Sequence, residues 1–255
     1  MQKFSKNGLE WLEFELLSDI PHLKHAVFLR SGGVSTGPYS SLNVSFDVDD
    51  DENAVKTNLQ RIQSHFQDTS EPIKLFWAKQ CHDKDITRIT SNSPIESVNY
   101  DALVTNEPGL NLMIKHADCQ AAIFYDPIHK AIANVHAGWR GNVKNIYKET
   151  IEYMQKSFGS KPSELLVCIS PSLGPDEAEF IHYKQELPEE FWHFQVRPTY
   201  FDLWAISTYQ LQQEGILPHH IEIAALSTYS NSHDYFSFRR DKKITGRHAT
   251  CVVLT

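Results

Sequence analysis

Between His116 and Gly141 the sequence reads His116-Ala117-Asp118-Cys119, then an apolar stretch, then His136-Ala137-Gly138-Trp139-Arg140-Gly141. The apolar stretch has two parts. Gln120 to Tyr125 closes on Asp126-Pro127, and Lys130 to Val135 follows as a second segment of strand length. Two antiparallel strands joined at the Asp-Pro turn set the start of the first beside the end of the second, so Cys119 and His136 are expected to meet at one edge. A thiol and imidazoles gathered there, with an arginine close by, predict a metal or nucleophile site next to an anion site.

Past Arg140, apolar residues at Val143, Ile146, Tyr147, Ile151 and Met154 predict a helix over 142–156. A helix that opens just after a glycine-containing turn offers free backbone N–H groups and the positive end of its dipole. With Arg140 this suits a phosphate or a carboxylate. Upstream, Ile73 to Ala78 and Ile86 to Thr90 read as strands, which places His82 in a turn at a strand end. Alone it would be read as a surface histidine. Beside Cys119 and His136 it completes a Cys-plus-two-His set that zinc accepts with a fourth position left open.

A chain of 255 residues can bury a full core without staples, and we expect one domain over 1–255. The net charge of −8 argues against broad nucleic-acid or anionic-membrane binding, so an anion site must be local, built from a few arginines. No signal-like or membrane-length apolar run is present, which leads to a cytoplasmic expectation. The four scattered cysteines, Cys81, Cys119, Cys168 and Cys251, then suggest metal binding or catalysis rather than disulfides, with Cys168 and Cys251 in apolar strands as core residues.

In the rest of the chain, 11–16, 26–29, 100–105, 110–115, 164–170, 221–226 and 249–254 read as strands, and 54–62 and 201–213 as helices. The acidic run Asp49-Asp50-Asp51-Glu52 precedes the first helix and is assigned to its dipole rather than to a metal. On that helix Arg61 points either to solvent or to an anion. Arg30 to Asn43 forms a loop rich in glycine and serine that fits neither a P-loop nor a dinucleotide fingerprint. Segment 176–198 is mixed, with a short helix. Strands outnumber helices without regular alternation, so the fold class is a mixed α/β (α+β) domain with more than one sheet.

Several motifs together resemble the multicopper-polyphenol-oxidase-like, or laccase-domain, family, the group that includes bacterial purine nucleoside phosphorylases of this type and their mammalian relatives. They are Ser31 to Asn43, Gln80-Cys81-His82, Asp101 to Thr105, Ala117-Asp118-Cys119, His136 to Gly141, Phe236 to Asp241 and Thr245-Gly246-Arg247. The resemblance spans nearly the whole chain. It implies an α-β-β-α layered arrangement of mixed sheets, similar to cysteine-hydrolase-like toxins. It also implies zinc on His82, Cys119 and His136, and phosphorolysis of adenosine, inosine, guanosine and 5′-methylthioadenosine with adenosine deamination. Laccase-like oxidation with copper has been attached to the same fold. The chain departs from the family pattern at His116, where Thr is more usual, at Asp83, where Gly is usual, and at Ser227, where Cys is common.

The expected partners are therefore purine nucleosides and phosphate. Arg140 is the leading phosphate ligand. Arg61, Asn43, Gln80 and Arg239 are further candidates for substrate or phosphate, and Arg247 is a weaker one. Cys119, His136, Asp118 and Arg140 are the candidate catalytic residues, with Asp118 a proton carrier or a residue behind the metal ligands. The usual deaminase signature, H-x-E with P-C-x-x-C, is absent. Two other classes remain open: copper-dependent phenol oxidation, although the 13 histidines form no H-x-H pair, and a metal-free cysteine hydrolase with Cys119 as nucleophile and His136 as base.

Overall fold

The computed structural model describes residues 1–67 and 72–255. In chain order the elements are β1 (Gln2–Lys6), β2 (Leu9–Glu13), α1 (Glu15–Ser18), β3 (Leu23–Phe28), α2 (Glu52–His65), β4 (Lys74–Lys79), β5 (Ile86–Arg88), β6 (Glu96–Val98), β7 (Ala102–Thr105), β8 (Leu110–His116), β9 (Gln120–Asp126) and β10 (Ala131–Ala137). There follow α3 (Trp139–Val143), α4 (Ile146–Phe158), β11 (Leu166–Ile169), α5 (Tyr183–Glu186), β12 (Gln195–Arg197), β13 (Tyr200–Phe201), α6 (Leu203–Gln213), β14 (Ile221–Ile223) and β15 (His248–Leu254).

Strands β8, β9, β10 and β15 are buried at every residue, as continuous apolar runs in strands covered on both faces should be. They form the middle of two mixed sheets. One runs β1-β2-β3-β15-β8-β4-β6 and the other β14-β11-β9-β10-β7-β5. The sheets face each other across a core that includes Val27, Phe76, Leu112 and Val252 from the first and Leu103, Ile123, Ile132 and Cys168 from the second. Each fully buried aliphatic or aromatic side chain there contributes about 1.5–3 kcal/mol. One polar residue crosses this layer: Asn134 on β10 donates to the carbonyls of Leu112 and Thr250, both at 2.8 Å, and so ties the second sheet to two strands of the first.

The outer faces are covered by helices. α2 lays Val55, Leu59 and Ile62 on the first sheet, while α4 puts Ile146, Tyr147, Ile151 and Met154 against the alanines of β9 and β10, which let it approach closely. Leu211 of α6 joins that second helical layer. The expected layering of helix, sheet, sheet and helix is therefore present. At the start of α2 the Asp51 carboxylate accepts from the Ala54 amide, so this residue of the acidic run caps the helix.

Several elements differ from the sequence reading. The helix expected over 142–156 is two helices, α3 and α4. Between them Asn145 adopts a left-handed conformation (φ 53°) and caps α4 through its side chain. Strand 11–16 stops at Glu13, because Glu15–Ser18 turns helical and buries Leu17. Strand 221–226 stops at Ile223. The edge strand β1, exposed along its whole length, has no apolar pattern that would have announced it.

Candidate metal centre and substrate cavity

Two connections that pass from one sheet to the other lie at the same end of the sandwich. The chain leaves β8 of the first sheet through Ala117-Asp118-Cys119 and enters β9 of the second, and it leaves β4 of the first through Gln80 to Asp85 and enters β5 of the second. β10 pairs antiparallel with β9, placing His136 opposite Ala121 and Ala137 opposite Gln120. Cys119 is thus set beside the end of β10, as the Asp-Pro hairpin requires. His82 is held in a left-handed turn (φ 61°).

The result is a compact donor set. His82, Cys119 and His136 each offer one ligand atom, and these atoms lie within 4.8 Å of one another. Cys119 Sγ is 3.8 Å from His82 Nε2, and the two imidazole rings are nearly perpendicular with centroids 4.7 Å apart. One sulfur and two nitrogens at this spacing suit a tetrahedral ion that keeps one open position. Gly138 is needed for the fit: a Cβ there would lie 2.9 Å from His82 Cδ2 and 3.0 Å from Cys119 Sγ.

Charge is concentrated at the same point. Burial alone would push the Cys119 thiol up, but the neighbouring His136 and His82 outweigh it and bring it down to about 6. Burial would likewise depress His136, which Cys119 and Asp101 instead raise to about 9. Asp101, fully buried, accepts from His136 Nδ1 at 2.7 Å. Burial opposes its charge, yet His136 and the surrounding donors hold its carboxyl well below the usual range. In the sequence Asp101 stands only at the start of the motif Asp101 to Thr105. The sole signal was an acid placed immediately before an apolar strand, and its contact with His136 comes from the pairing of β7 with β10.

The three donors open into a cavity of about 560 Å³. Cations reach it from Lys115, Arg140, Arg239 and Arg247, and apolar surface from Trp139, Leu173, Phe180, Leu203 and Phe238. This apolar wall had no legible signature, because its residues come from four separate segments. Arg140 lies in the first turn of α3, with its guanidinium 4.3 Å from the Trp139 ring centroid. α3 has only five residues, so its dipole is weaker than a helix over 142–156 would supply. Arg247 donates to the carbonyls of Thr245 and Gly246, and its own amide is held by Asn43 Oδ1 at 2.9 Å.

The other expected site residues divide clearly. Gln80 lines the cavity, but its amide is engaged with the backbone of Lys115, donating at 2.8 Å and accepting at 3.0 Å. Arg239 lines it while donating to the carbonyls of Glu177 and Glu179. Asp118 is placed in the cavity wall, where its carboxylate accepts from Thr228 Oγ1 and the Arg239 amide, both at 2.6 Å, and so fastens the loop that follows β14. Two residues are not brought to the cavity. Asn43 is fully buried and spends its side chain on Ser45, Asp50 and Arg247; Arg61 donates to the Gly32 carbonyl. Neither lines the cavity expected to take the substrate.

The three departures from the family pattern also have places. His116 lies behind Cys119, its Nδ1 3.1 Å from the Cys119 carbonyl and its Nε2 2.8 Å from Thr250 Oγ1. Asp83 turns to Lys144 at 2.7 Å, and Ser227 donates to Glu177 at 3.0 Å. All four cysteines are free, with Cys168 and Cys251 in the core. Among the described residues no helix is long and apolar enough to cross a membrane.

The chain is similar to known proteins along most of its length. The family model described as multi-copper polyphenol oxidoreductase laccase matches residues 24–255. A purine nucleoside phosphorylase of Bacteroides thetaiotaomicron is 30% identical over 90% of this chain and 90% of its own. Purine nucleoside phosphorylase YfiH of Escherichia coli is 30% identical over 88% and 91%. Among solved structures, a hypothetical protein YfiH of Bacillus licheniformis superposes with a TM-score of 0.88 at 23% identity, covering 98% of this chain and 97% of that one. YlmD of Geobacillus stearothermophilus gives 0.85 at 25% identity, covering 98% and 97%. The chain therefore belongs to the multi-copper polyphenol oxidoreductase laccase family, in the company of relatives named purine nucleoside phosphorylases.

Proposed function

We propose that this chain is a zinc-dependent purine nucleoside phosphorylase that also deaminates adenosine, acting as one domain over 1–255 on small molecules in the cytoplasm. The observation that carries the reading is the convergence of His82, Cys119 and His136 on a 560 Å³ cavity whose other walls are cationic and aromatic. That volume lies in the range of small-molecule sites. Aromatic surface from Trp139, Phe180 and Phe238 suits a purine, and positive charge from Arg140 and Arg247 suits phosphate. The proposed substrates are adenosine, inosine, guanosine and 5′-methylthioadenosine.

In phosphorolysis a phosphate oxygen attacks the ribose C1′, the C1′–N9 bond breaks, and its electron pair leaves with the purine, which takes up a proton. Arg140 would hold the phosphate beneath C1′, where a fixed guanidinium supplies positive charge without reorganisation. His82, Cys119 and His136 would hold the zinc, which supplies Lewis acidity at the cavity floor. Deamination uses water instead of phosphate and attacks purine C6 instead of C1′, so adenosine must shift within the cavity to serve both routes.

A second reading has an observation of its own. Cys119, His136 and Asp101 are arranged as a nucleophilic cysteine, its base and the carboxylate that orients the base. His82 weighs against it: a second imidazole 3.8 Å from the same sulfur is superfluous to a nucleophile but completes a metal site. Copper is a further occupant of the same donors, since it outcompetes zinc for most such ligands.

The test is product identity by chromatography across a phosphate titration, with zinc-stripped protein as control. Phosphate should raise adenine and ribose 1-phosphate, inosine should persist without phosphate, and both should vanish with the zinc. Turnover that survives verified zinc removal would transfer the site to the cysteine reading. Copper in natively purified protein, with phenol oxidation and no nucleoside products, would transfer it to the oxidase reading.

The role of Arg140 is tested separately. Arg140→Ala removes a charge-assisted contact worth about 1.5–3 kcal/mol, so the phosphate concentration at half-maximal phosphorolysis should rise on the order of 10- to 100-fold. Zinc content should stay the same. An unchanged phosphate dependence would remove Arg140 from the anion site and leave Arg247 as the next candidate.

A further inference from the structure

Asp101 collects more donors than any single partner explains. Its Oδ1 accepts from His136 Nδ1 at 2.7 Å and from the His82 amide at 3.0 Å. Its Oδ2 accepts from the Asp83 amide at 2.8 Å, and from the Cys81 amide and Cys81 Sγ, both at 3.1 Å. Three successive backbone amides, 81 to 83, therefore wrap one buried carboxylate, an anion nest whose occupant is supplied by the chain itself. The backbone of Asp101 is bound as well: its carbonyl accepts from the His136 amide at 2.7 Å, and its amide donates to the Asp85 carbonyl at 2.9 Å.

The two oxygens serve two of the three metal-ligand positions at once. Asp101 engages Nδ1 of His136 and so directs Nε2 of that ring toward Cys119 and His82. Asp101 also closes the turn that carries His82, a non-glycine residue held at φ 61°, a conformation that persists only where surrounding contacts over-determine it. His82 itself is exposed and sits in no helix or strand, so without the nest little else in the turn fixes its ring against the cavity.

We infer that Asp101 is the positioning residue of the metal centre, a single carboxylate that presets His136 on β10 and His82 on the β4–β5 turn for the same ion. This rests on the reading that the triad binds zinc. The inference singles out Asp101→Asn as an unusually damaging isosteric change. Asparagine has one acceptor oxygen and one NH2 group. With the NH2 in the place of Oδ2 it faces the amides of Cys81 and Asp83, donor against donor; with the NH2 in the place of Oδ1 it faces the His82 amide and donates a hydrogen bond to His136 Nδ1, which leaves the other ring nitrogen to carry the hydrogen. Neither orientation preserves both ligands.

The experiment measures zinc affinity of wild-type and Asp101→Asn protein by competition with a chromophoric chelator, alongside thermal unfolding of the metal-free forms. The expected result is a loss of zinc affinity on the order of 10- to 100-fold in the folded variant, as is usual when the partner of a metal-bound histidine is removed. Wild-type affinity in folded Asp101→Asn overturns the inference while leaving the zinc reading intact. A wild-type protein that takes up no zinc overturns both. Should Asp101→Asn not fold, amide hydrogen exchange of the metal-free wild type decides: Cys81, His82 and Asp83 should all be protected, and exchange at unstructured-peptide rates would overturn the nest.

Discussion

Cys119→Ala is expected to abolish stoichiometric zinc, and with it both phosphorolysis and deamination. Cys119 is the one sulfur of the site, its Sγ 3.8 Å from His82 Nε2 and within 4.8 Å of the ligand nitrogen of His136. Its loss leaves two imidazoles on separate elements, one on the buried strand β10 and one on an exposed turn. If a four-ligand zinc site is worth about 10–16 kcal/mol, one ligand accounts for about 2.5–4, and removing it lowers affinity on the order of 100- to 1,000-fold. The fold should survive, because Cys119 lies between β8 and β9 rather than within either and is not part of the buried core. Metal analysis and melting temperature on the same sample check the two halves of this expectation. Full zinc retention in Cys119→Ala would remove the triad as the metal site.

The part of the site carried by local sequence was legible, and the part carried by long-range pairing was not. Cys119 and His136 could be juxtaposed from sequence because they flank one hairpin, whose register follows from the Asp126-Pro127 turn and two apolar segments. His82 could be added only through its chemistry and its place at a strand end. Asp101 stayed out of view because its bonds reach 18 to 20 residues back and 35 forward, distances at which no periodic pattern speaks. The cationic residues show the same division: sequence puts Arg140 first for its glycine-flanked turn but does not separate Arg61 from Arg239 and Arg247 by position, and only packing turns Arg61 to the Gly32 carbonyl while leaving the other three on the cavity. The break at Asn145 was hidden because Val143 and Ile146 keep helical spacing across it, so the apolar period continues where the hydrogen-bond ladder does not.

Gly138→Ala is expected to disable the site while leaving the fold in place. The backbone of Gly138 (φ −75°, ψ 169°) is extended and open to any L-residue, so alanine adds no conformational strain at this position. What it adds is one methyl group, built 2.9 Å from His82 Cδ2 and 3.0 Å from Cys119 Sγ, closer than carbon and sulfur atoms settle against a Cβ. Relief must come from the ligands. β9 and β10 are paired along their full lengths and α3 hydrogen-bonds back to Gly138 through the Asn142 amide, so the backbone beneath the new methyl has little room to retreat. His82 on its exposed turn is the freer of the two neighbours, and swinging it outward by a few tenths of an ångström or more lengthens one metal–ligand distance. Misplacement of reacting groups by about 1 Å costs about a hundredfold in rate. The variant should therefore melt within about 2 °C of wild type, a span that corresponds to about 1 kcal/mol for a chain of this size, yet bind zinc at least about tenfold more weakly and lose most of its nucleoside turnover. Chelator competition and calorimetry on the metal-free protein separate these effects. Unaltered zinc affinity and turnover in Gly138→Ala would show that the cavity floor tolerates the methyl, and that His82 does not stand where the ion needs it.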